Sequence, residues 1–535
     1  MNHRKNRHVK GVITVFVTLL SVVFLSFIFM LLESARYYGV RAEAAAAADN
    51  ANFSVFGQFE KELLSRYNLF ALDGACGTGN FKTARIADLL KTCLEKNITP
   101  KEDSLQELCF DPWQLHLEDA KITSYALLTD DKGENFYQQA VAFMHDTPLS
   151  SAISEIHEHY AEAADRAAEY REHYENADAE RQLIEDVNEQ AEAAGNEENE
   201  EGETGEGEIT SEEIARRKAL NPLPDLMRVF FQDILTSVCY GLPVSEAAFS
   251  GSEPTSAGFL RQGTLSLPKV YGGAIDNMLF EEYLLQNFPN FRSASDEETG
   301  EDKEGGSEDG GKGAALTYQL EYILSGKRSD RANLKETAKK LLALREAFNY
   351  ASSQNNPEMT GACESLAWIV IGWTGNAALV ESMTQALLMG WCYGESMLDV
   401  RNLMHGGLVP LMKEADEWQL TLEKLGTVRE MLADDKGYGS EGMRYKEYLL
   451  ILLNMTPLRQ QKMRGIDMIE MNVRTAPGMS NFKADQCIVA MKTESRFSAG
   501  SVFGRVPGAL LSIAPGSWEL EVNGGYTYMP AEKDS

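Results

Sequence analysis

"KGVITVFVTLLSVVFLSFIFMLLESARYYGVR", residues 10–41, decides how the rest of the chain is read. From Gly11 to Leu32 run 22 residues without a charge, sixteen of them Val, Ile, Leu or Phe. At 1.5 Å rise per residue they make a helix of about 33 Å, enough to cross a hydrocarbon core of about 30 Å. An export signal has an apolar stretch of about 7–15 residues and a small-x-small cleavage site, whereas this run ends Leu31-Leu32-Glu33. It reads as a retained anchor rather than a cleaved leader.

The flanks set an expected orientation. Arg4, Lys5, Arg7 and Lys10 precede the span, while Glu33, Arg36, Arg41, Glu43 and Asp49 after it roughly cancel. Basic residues stay on the cytoplasmic side, so residues 1–10 are expected as a cytoplasmic tail, 11–32 as the transmembrane helix, and the remainder as an extracellular domain of a single-pass cell-membrane protein. The next apolar run, "LAWIVIGW" at 366–373, is too short to span and reads as a buried core helix.

The chain has 535 residues, 44% of them hydrophobic, and a formal net charge of −31. Such a chain can bury a sizeable core, and its field repels nucleic acid. Much of the acidity is local. Residues 195–208 hold seven Glu and no base, and residues 293–313 hold eight acids against two Lys. Neither stretch carries enough apolar surface to offset ordering entropy, so 195–210 and 293–313 read as disordered spacers. Neither has the alternating acids, sixth-position Gly and twelfth-position Glu of an EF-hand loop.

Ile153, Ile156, Tyr160, Ala163, Ala167, Tyr170, Tyr174 and Ala177 recur at spacings of three and four, predicting a heptad-patterned helix or stalk over 151–194. The Ala-rich stretch after the anchor has no proline and continues as helix towards Asn50. Further helices are expected near 225–240, 276–287, 315–326, 331–351, 362–404 with interruptions, 418–434, 443–454 and 457–474. The last is opened by Thr456-Pro457. Short β-prone segments separated by Gly and Pro follow Pro477, and "WQLHLEDAKITSYALL", 113–128, offers one more strand. The fold class is α+β, mainly α. Its regions are a membrane-proximal part at 33–150, helical parts at 211–292 and 314–475, and a β-rich C-terminal part at 476–535.

Few residues carry a chemical signature. Glu395 and Asp399 are an i, i+4 pair on one helix face with Arg401 nearby, an arrangement that serves acid/base work or, more commonly, internal ion pairs. Gly406-Gly407 reads as a helix stop. Gly437 to Gly442 fits G-x-G-x-x-G but follows "LADDK" rather than a strand, so it reads as a loop. His157-Glu158-His159 is too tight for a zinc motif on a helix. Seven cysteines, at 76, 93, 109, 239, 363, 392 and 487, form no CxxC pair. Cys76, Cys93 and Cys109 are the set that could pair outside the cell, and Cys363 and Cys392 read as small hydrophobes. No catalytic residue, cofactor or metal is expected, and no small-molecule substrate.

Lys10-Gly11-Val12-Ile13-Thr14-Val15-Phe16, the apolar run, Glu33, Ala35-Arg36 and the Ala-rich stretch to Asp49 resemble the N-termini of TadE/TadG-like proteins of tight-adherence pilus loci. Processed pseudopilins are cut after a Gly and carry Glu at the fifth mature position. Here Phe16 stands there, which implies a retained, TadG-like anchor. "YNLFALD" (67–73), "EYILSGKRSDRANL" (321–334), "LREAFN" (344–349), "ESMLDVRNLMHGGLVPLMK" (395–413) and "YKEYLLILL" (445–453) resemble an uncharacterised family of membrane-anchored proteins from Gram-positive bacteria, a domain of unknown function. Together the resemblances imply a non-catalytic structural or assembly protein of a Tad-like pilus or secretion apparatus. Its implied partners are the bilayer through 11–32 and other membrane or pilus-assembly proteins through the juxtamembrane helix 33–70. The alternatives are a surface-exposed binding or adhesion ectodomain and, third, an envelope enzyme.

Overall fold

The computed structural model describes residues 7–99, 113–147, 182–191, 193, 210–249, 253–293, 314–354, 356–433, 441–503 and 516–531. The chain is mainly helical with one antiparallel sheet, an α+β fold, and divides into two units. Unit 1 takes residues 1–139, 255–270 and 476–535, and unit 2 takes 140–254 and 271–475.

Unit 1 is built on one helix, α1 (Arg7–Phe56), continuous for 50 residues and long and apolar enough to cross a membrane. The side chains at 13–25 are exposed on every face. Beyond Glu33 the helix becomes one-sided: Arg36, Val40, Ala44, Ala47, Ala48, Ala51, Val55 and Phe56 are buried at spacings of three and four. Then come α2 (Lys61–Tyr67), β1 (Leu72–Asp73), α3 (Thr83–Ile98), β2 (Leu115–Leu127) and α4 (Asp130–His145), whose residues after Gln139 belong to unit 2. The C-terminal strands are β3 (Cys487–Gly500) and β4 (Ser517–Thr527).

Strand β3 is central. β2 pairs along one edge, and β1 and β4 follow one another along the other, all antiparallel. From Met491 the alternation of β3 is regular, with Met491, Thr493, Ser495, Phe497 and Ala499 inward and Lys492 and Arg496 outward. The inward face packs on α1 and on Ile86, Leu90 and Leu94 of α3 in one core. Helix and sheet run together lengthwise: Tyr37 meets Trp518 near the start of β4, and Phe56 meets Tyr526 and Tyr528 at its end. Small Ala side chains let the helix lie flat on the sheet. The β-rich 476–535 stretch is therefore half of a sheet completed by strands from the 33–150 region, and the strand expected within 113–128 is β2.

Unit 2 holds α5 (Ser211–Lys218), α6 (Leu223–Phe230), α7 (Ile234–Val238), α8 (Ala274–Asn287), α9 (Gln319–Ser325), α10 (Asp330–Gln354), α11 (Pro357–Ile371), α12 (Ala377–Met404), α13 (Val428–Leu432), α14 (Tyr445–Met455) and α15 (Leu458–Arg474). Helix α12 is its axis. Every residue from Gly390 to Met404 is buried, with α10 and α11 packed against it. The helix ends where Gly406 turns left-handed (φ 85°). There Gly406 N–H donates to Leu403 O (3.1 Å) and Gly407 N–H to Asn402 O (2.7 Å), the double closure that the Gly-Gly pair implies.

Several expected elements differ, each for a local reason. The 225–240 helix breaks before Ile234 because Asp233 is extended there and its carboxylate is held by Arg331 (3.1 Å) and Lys335 (2.9 Å). The 315–326 helix starts late, because Thr317 N–H and Tyr318 N–H donate to Asp330 at 2.9 and 3.0 Å. Residues 418–434 give a 3-10 turn, Leu422–Thr427, before α13, since the backbone at 419–420 is engaged elsewhere. The "LAWIVIGW" run is only partly buried: Ala367, Val370 and Ile371 face inward, while Trp368 and Ile369 are exposed.

Of the heptad-patterned stretch, residues 182–191 and 193 are described and helical, with Ile184, Val187 and Ala191 buried. The seam from Ile153 to Ala177 and most of both acidic spacers lie outside the described residues.

The packing of α1 predicts a contrast between neighbouring alanines. Ala44→Leu, at a fully buried position, overpacks the helix–sheet contact and should cost about 1–3 kcal/mol. Ala46→Leu, on the exposed face, should stay within about 0.5 kcal/mol of wild type. Chemical denaturation of the detergent-solubilised chain, followed by circular dichroism, checks the pair.

Candidate functional site

The i, i+4 carboxylates of α12 do come together, in the interior of unit 2. Glu395 and Asp399 are both 0% exposed, and both accept from Lys413 Nζ. The second cation is Arg345 of α10, also 0% exposed. Its Nε donates to Asp399 Oδ2 at 3.0 Å, and its NH2 lies 2.9 Å from the same oxygen. Two acids and two bases make the cluster formally neutral. Arg401 does not join it, since its Nε donates to Leu432 O at 2.9 Å.

The remaining bonds of the cluster go to a connecting segment. Arg345 NH1 donates to Pro410 O (2.9 Å), Leu411 O (2.7 Å) and Tyr448 Oη (2.9 Å). Glu395 accepts from Gln419 N–H (3.2 Å) and Leu420 N–H (2.9 Å), and Trp391 Nε1 donates to Leu420 O (2.7 Å). Asn349 completes the set: its Nδ2 donates to Ser396 Oγ (2.9 Å) and Asp399 Oδ2 (3.1 Å). The connection between α12 and α13 has only short 3-10 turns and a β-bridge of its own, and buried side chains satisfy its backbone at Pro410, Leu411, Gln419 and Leu420. Gly394 makes room for it, because a Cβ there would lie 2.6 Å from a Leu420 methyl.

Burial, and then the Asp399 charge, raise the Glu395 pKa, while Lys413 opposes them. Charges this deep are sustained only when paired and hydrogen-bonded. The Glu395 and Asp399 acceptors are engaged by Lys413, Arg345 and backbone N–H groups, which is the ion-pair arrangement rather than an open acid/base pair.

Two more buried carboxylates of unit 2, Glu281 and Glu321, have pKa values raised by burial. Glu281 of α8 accepts from Asn454 Nδ2 (2.6 Å) and lies 3.4 Å from Gln461 Nε2. Burial pushes its pKa from 4.5 up to about 8, against those two hydrogen bonds. Glu321 of α9 accepts from Phe291 N–H and Tyr445 Oη, both at 2.8 Å, and burial raises it to about 7. Among the described residues no group of three His, Cys, Asp or Glu is placed to hold a metal ion. His157 to His159 and Gly437 to Ser440 lie outside the described residues. The six described cysteines form no disulfide among the described residues, and burial pushes the Cys363 thiol up to about 12.

Sequence reasoning singled out Glu395 and Asp399 but gave no role to Arg345 or Lys413. One signal was available for Arg345. It falls on the buried stripe Leu341, Leu342, Phe348 of α10, where a charge requires a partner.

A helical unit organised around a saturated ion cluster, joined to a long-helix and sheet unit, is the class of protein defined by this geometry. The chain belongs to a family of unknown function, DUF5702, whose match covers residues 212–499, more than half of its length. The match runs from α5 to the last residues of the central strand β3 and includes all four cluster charges. No curated protein and no solved structure matches the chain.

Asp399→Ala leaves Arg345 and Lys413 with a single buried carboxylate and should destabilise unit 2 by about 3–5 kcal/mol. Adding Arg345→Met should recover part of that loss, and only part, because the Pro410 and Leu411 carbonyls stay without their donor. A denaturation double-mutant cycle reads both terms.

Glu281 predicts a pH dependence. Below its unfolded value near 4.5 both states hold the proton. Between there and about 8 only the folded state does, so the stability it contributes is lost as pH rises through that window. Glu281→Gln should match wild type near pH 4 and be the more stable protein near pH 9, as read by thermal unfolding.

Proposed function

We propose that this protein is a membrane-anchored, extracytoplasmic structural or assembly component of a Tad-like pilus or secretion apparatus, with its N-terminus in the cytoplasm and no reaction of its own. The observation that carries the reading is the division of α1. Its first half presents Val, Leu and Phe on every face, and its second half is bound along its length to the sheet of unit 1. A rigid helix of that kind transmits position between the membrane and an exterior domain, and leaves its apolar half available to neighbouring helices. The N-terminal resemblance to TadE/TadG-like proteins supports this choice of apparatus. The saturation of Glu395 and Asp399 by Lys413 and Arg345 supports a role in holding shape.

A binding ectodomain is the second reading, favoured by Trp368 and Ile369, which α11 leaves 48% and 46% exposed.

The test is genetic and topological. Native membranes washed with alkaline carbonate should retain the chain, protease added outside intact cells should cut it, and mass spectrometry should find the basic N-terminus intact. Deleting the gene should abolish the surface filaments seen by electron microscopy while general protein export continues. Release by carbonate, protection from external protease, or unchanged filaments would refute the proposal.

A further inference from the structure

The end of the unit 1 sheet nearest the anchor carries an unusual set of contacts. Phe503, just past β3, stacks on Phe29 inside the apolar run, with ring centroids 6.5 Å apart and planes within 13°. Val502 N–H and Phe503 N–H donate to the Glu33 carboxylate at 3.3 and 2.7 Å. Arg36 pairs with Glu33 (3.2 Å) and donates to Gly500 O (2.7 Å) and Trp113 O (2.5 Å), with its guanidinium 5.4 Å from the Trp518 ring centroid. The Trp113 ring fills the space beside Gly39, where a Cβ would come within 2.2 Å of it.

Glu33 and Arg36 are therefore not the start of the aqueous phase. They neutralise each other, their side chains are 12% and 3% exposed, and both bond to residues at the end of the sheet. Between Leu32 and Val40 the exposed side chains of α1 are Ser34, Ala35 and Tyr38, none of them charged. The first exposed charges are Arg41 and Glu43. Gly11 to Val40 is about 45 Å of helix, the thickness of a bilayer with its headgroups rather than of its core alone. The described residues at this end of the sheet, 113–115, 499–503 and 516–518, also carry no charge. They hold three aromatic rings, the kind of side chain that concentrates at membrane interfaces.

We infer that this end of the sheet, with Trp113, Phe503 and Trp518, is seated in the lipid headgroup layer of the same bilayer that α1 crosses. The inference rests on the anchoring read above. Phe503 lies at the hydrocarbon edge, held there by Phe29, and Trp113 and Trp518 lie further out beside Gly39 and Tyr37. Such a collar fixes the tilt of unit 1 on the membrane, which a bare helix does not.

The full chain, reconstituted in phosphatidylcholine vesicles, tests this by tryptophan quenching with lipids brominated near the glycerol end or near the chain methyls. In a Trp113→Phe/Trp518→Phe background, Phe503→Trp should add emission that is lost strongly to the shallow bromines and less to the deep ones. Wild type should lose more than the background. Should the background fold poorly, Phe503→Trp alone compared with wild type gives the same reading. If the added emission survives both lipids while the chain stays in carbonate-washed vesicles, the collar is wrong and another protein or water covers this end. Stronger quenching by the deep bromines also overturns headgroup seating. Release of the chain by carbonate overturns the anchoring itself.

Discussion

The constraint on which the rest of the structure depends is that one helix combines an apolar half exposed on every face with a half that packs on a sheet. The first half of α1 is long and apolar enough to cross a membrane, its few Thr and Ser set among Val, Leu, Ile and Phe, and its backbone is satisfied internally. The second half must bury one face against a sheet. Alanine at 44, 47, 48 and 51 meets that demand, because a small side chain allows close approach and keeps helix propensity high. The junction between the halves falls at the first charges after the apolar run. Glu33 and Arg36 lie there, paired with each other and bonded to residues beside the ends of β2 and β3.

Unit 2 solves a different problem with the same device. Its core helix, α12, is buried on all sides over fifteen residues, and the connection that follows lies against it with only short 3-10 turns and one β-bridge of its own. Arg345, Asp399, Lys413 and Glu395 turn that connection into part of the interior by supplying donors and acceptors to residues 410–420. A cluster of this kind adds little net stability over a hydrophobic replacement, since desolvation offsets the attraction. Its value is geometric: only one path of the connection satisfies all four charges.

The family match has a physical edge. It takes in β3 and stops there, yet β3 is the centre of a sheet whose other strands, β1, β2 and β4, fall outside it. A central strand needs both neighbours to satisfy its backbone. In this chain the neighbours come from segments more than 350 residues upstream and from the extreme C-terminal region.

Much of the fold was legible from local pattern. The apolar run, the helices at 274–287, 330–354, 445–455 and 458–474, and the Gly406-Gly407 stop follow from periodicity, capping and glycine geometry, which act over a few residues. The paired carboxylates of the candidate site were legible as a pair, because i, i+4 spacing is local too. What only the tertiary structure decided depends on residues far apart in the chain. It decided that Lys413 and Arg345 neutralise that pair, that β3 recruits β2 and β1 as well as β4, that Asp233 and Asp330 end or delay helices by capturing distant or loop groups, and that Glu33 and Arg36 pair with each other against the end of the sheet. Charge partners and strand neighbours are chosen by burial, and burial belongs to the folded chain rather than to any stretch of sequence.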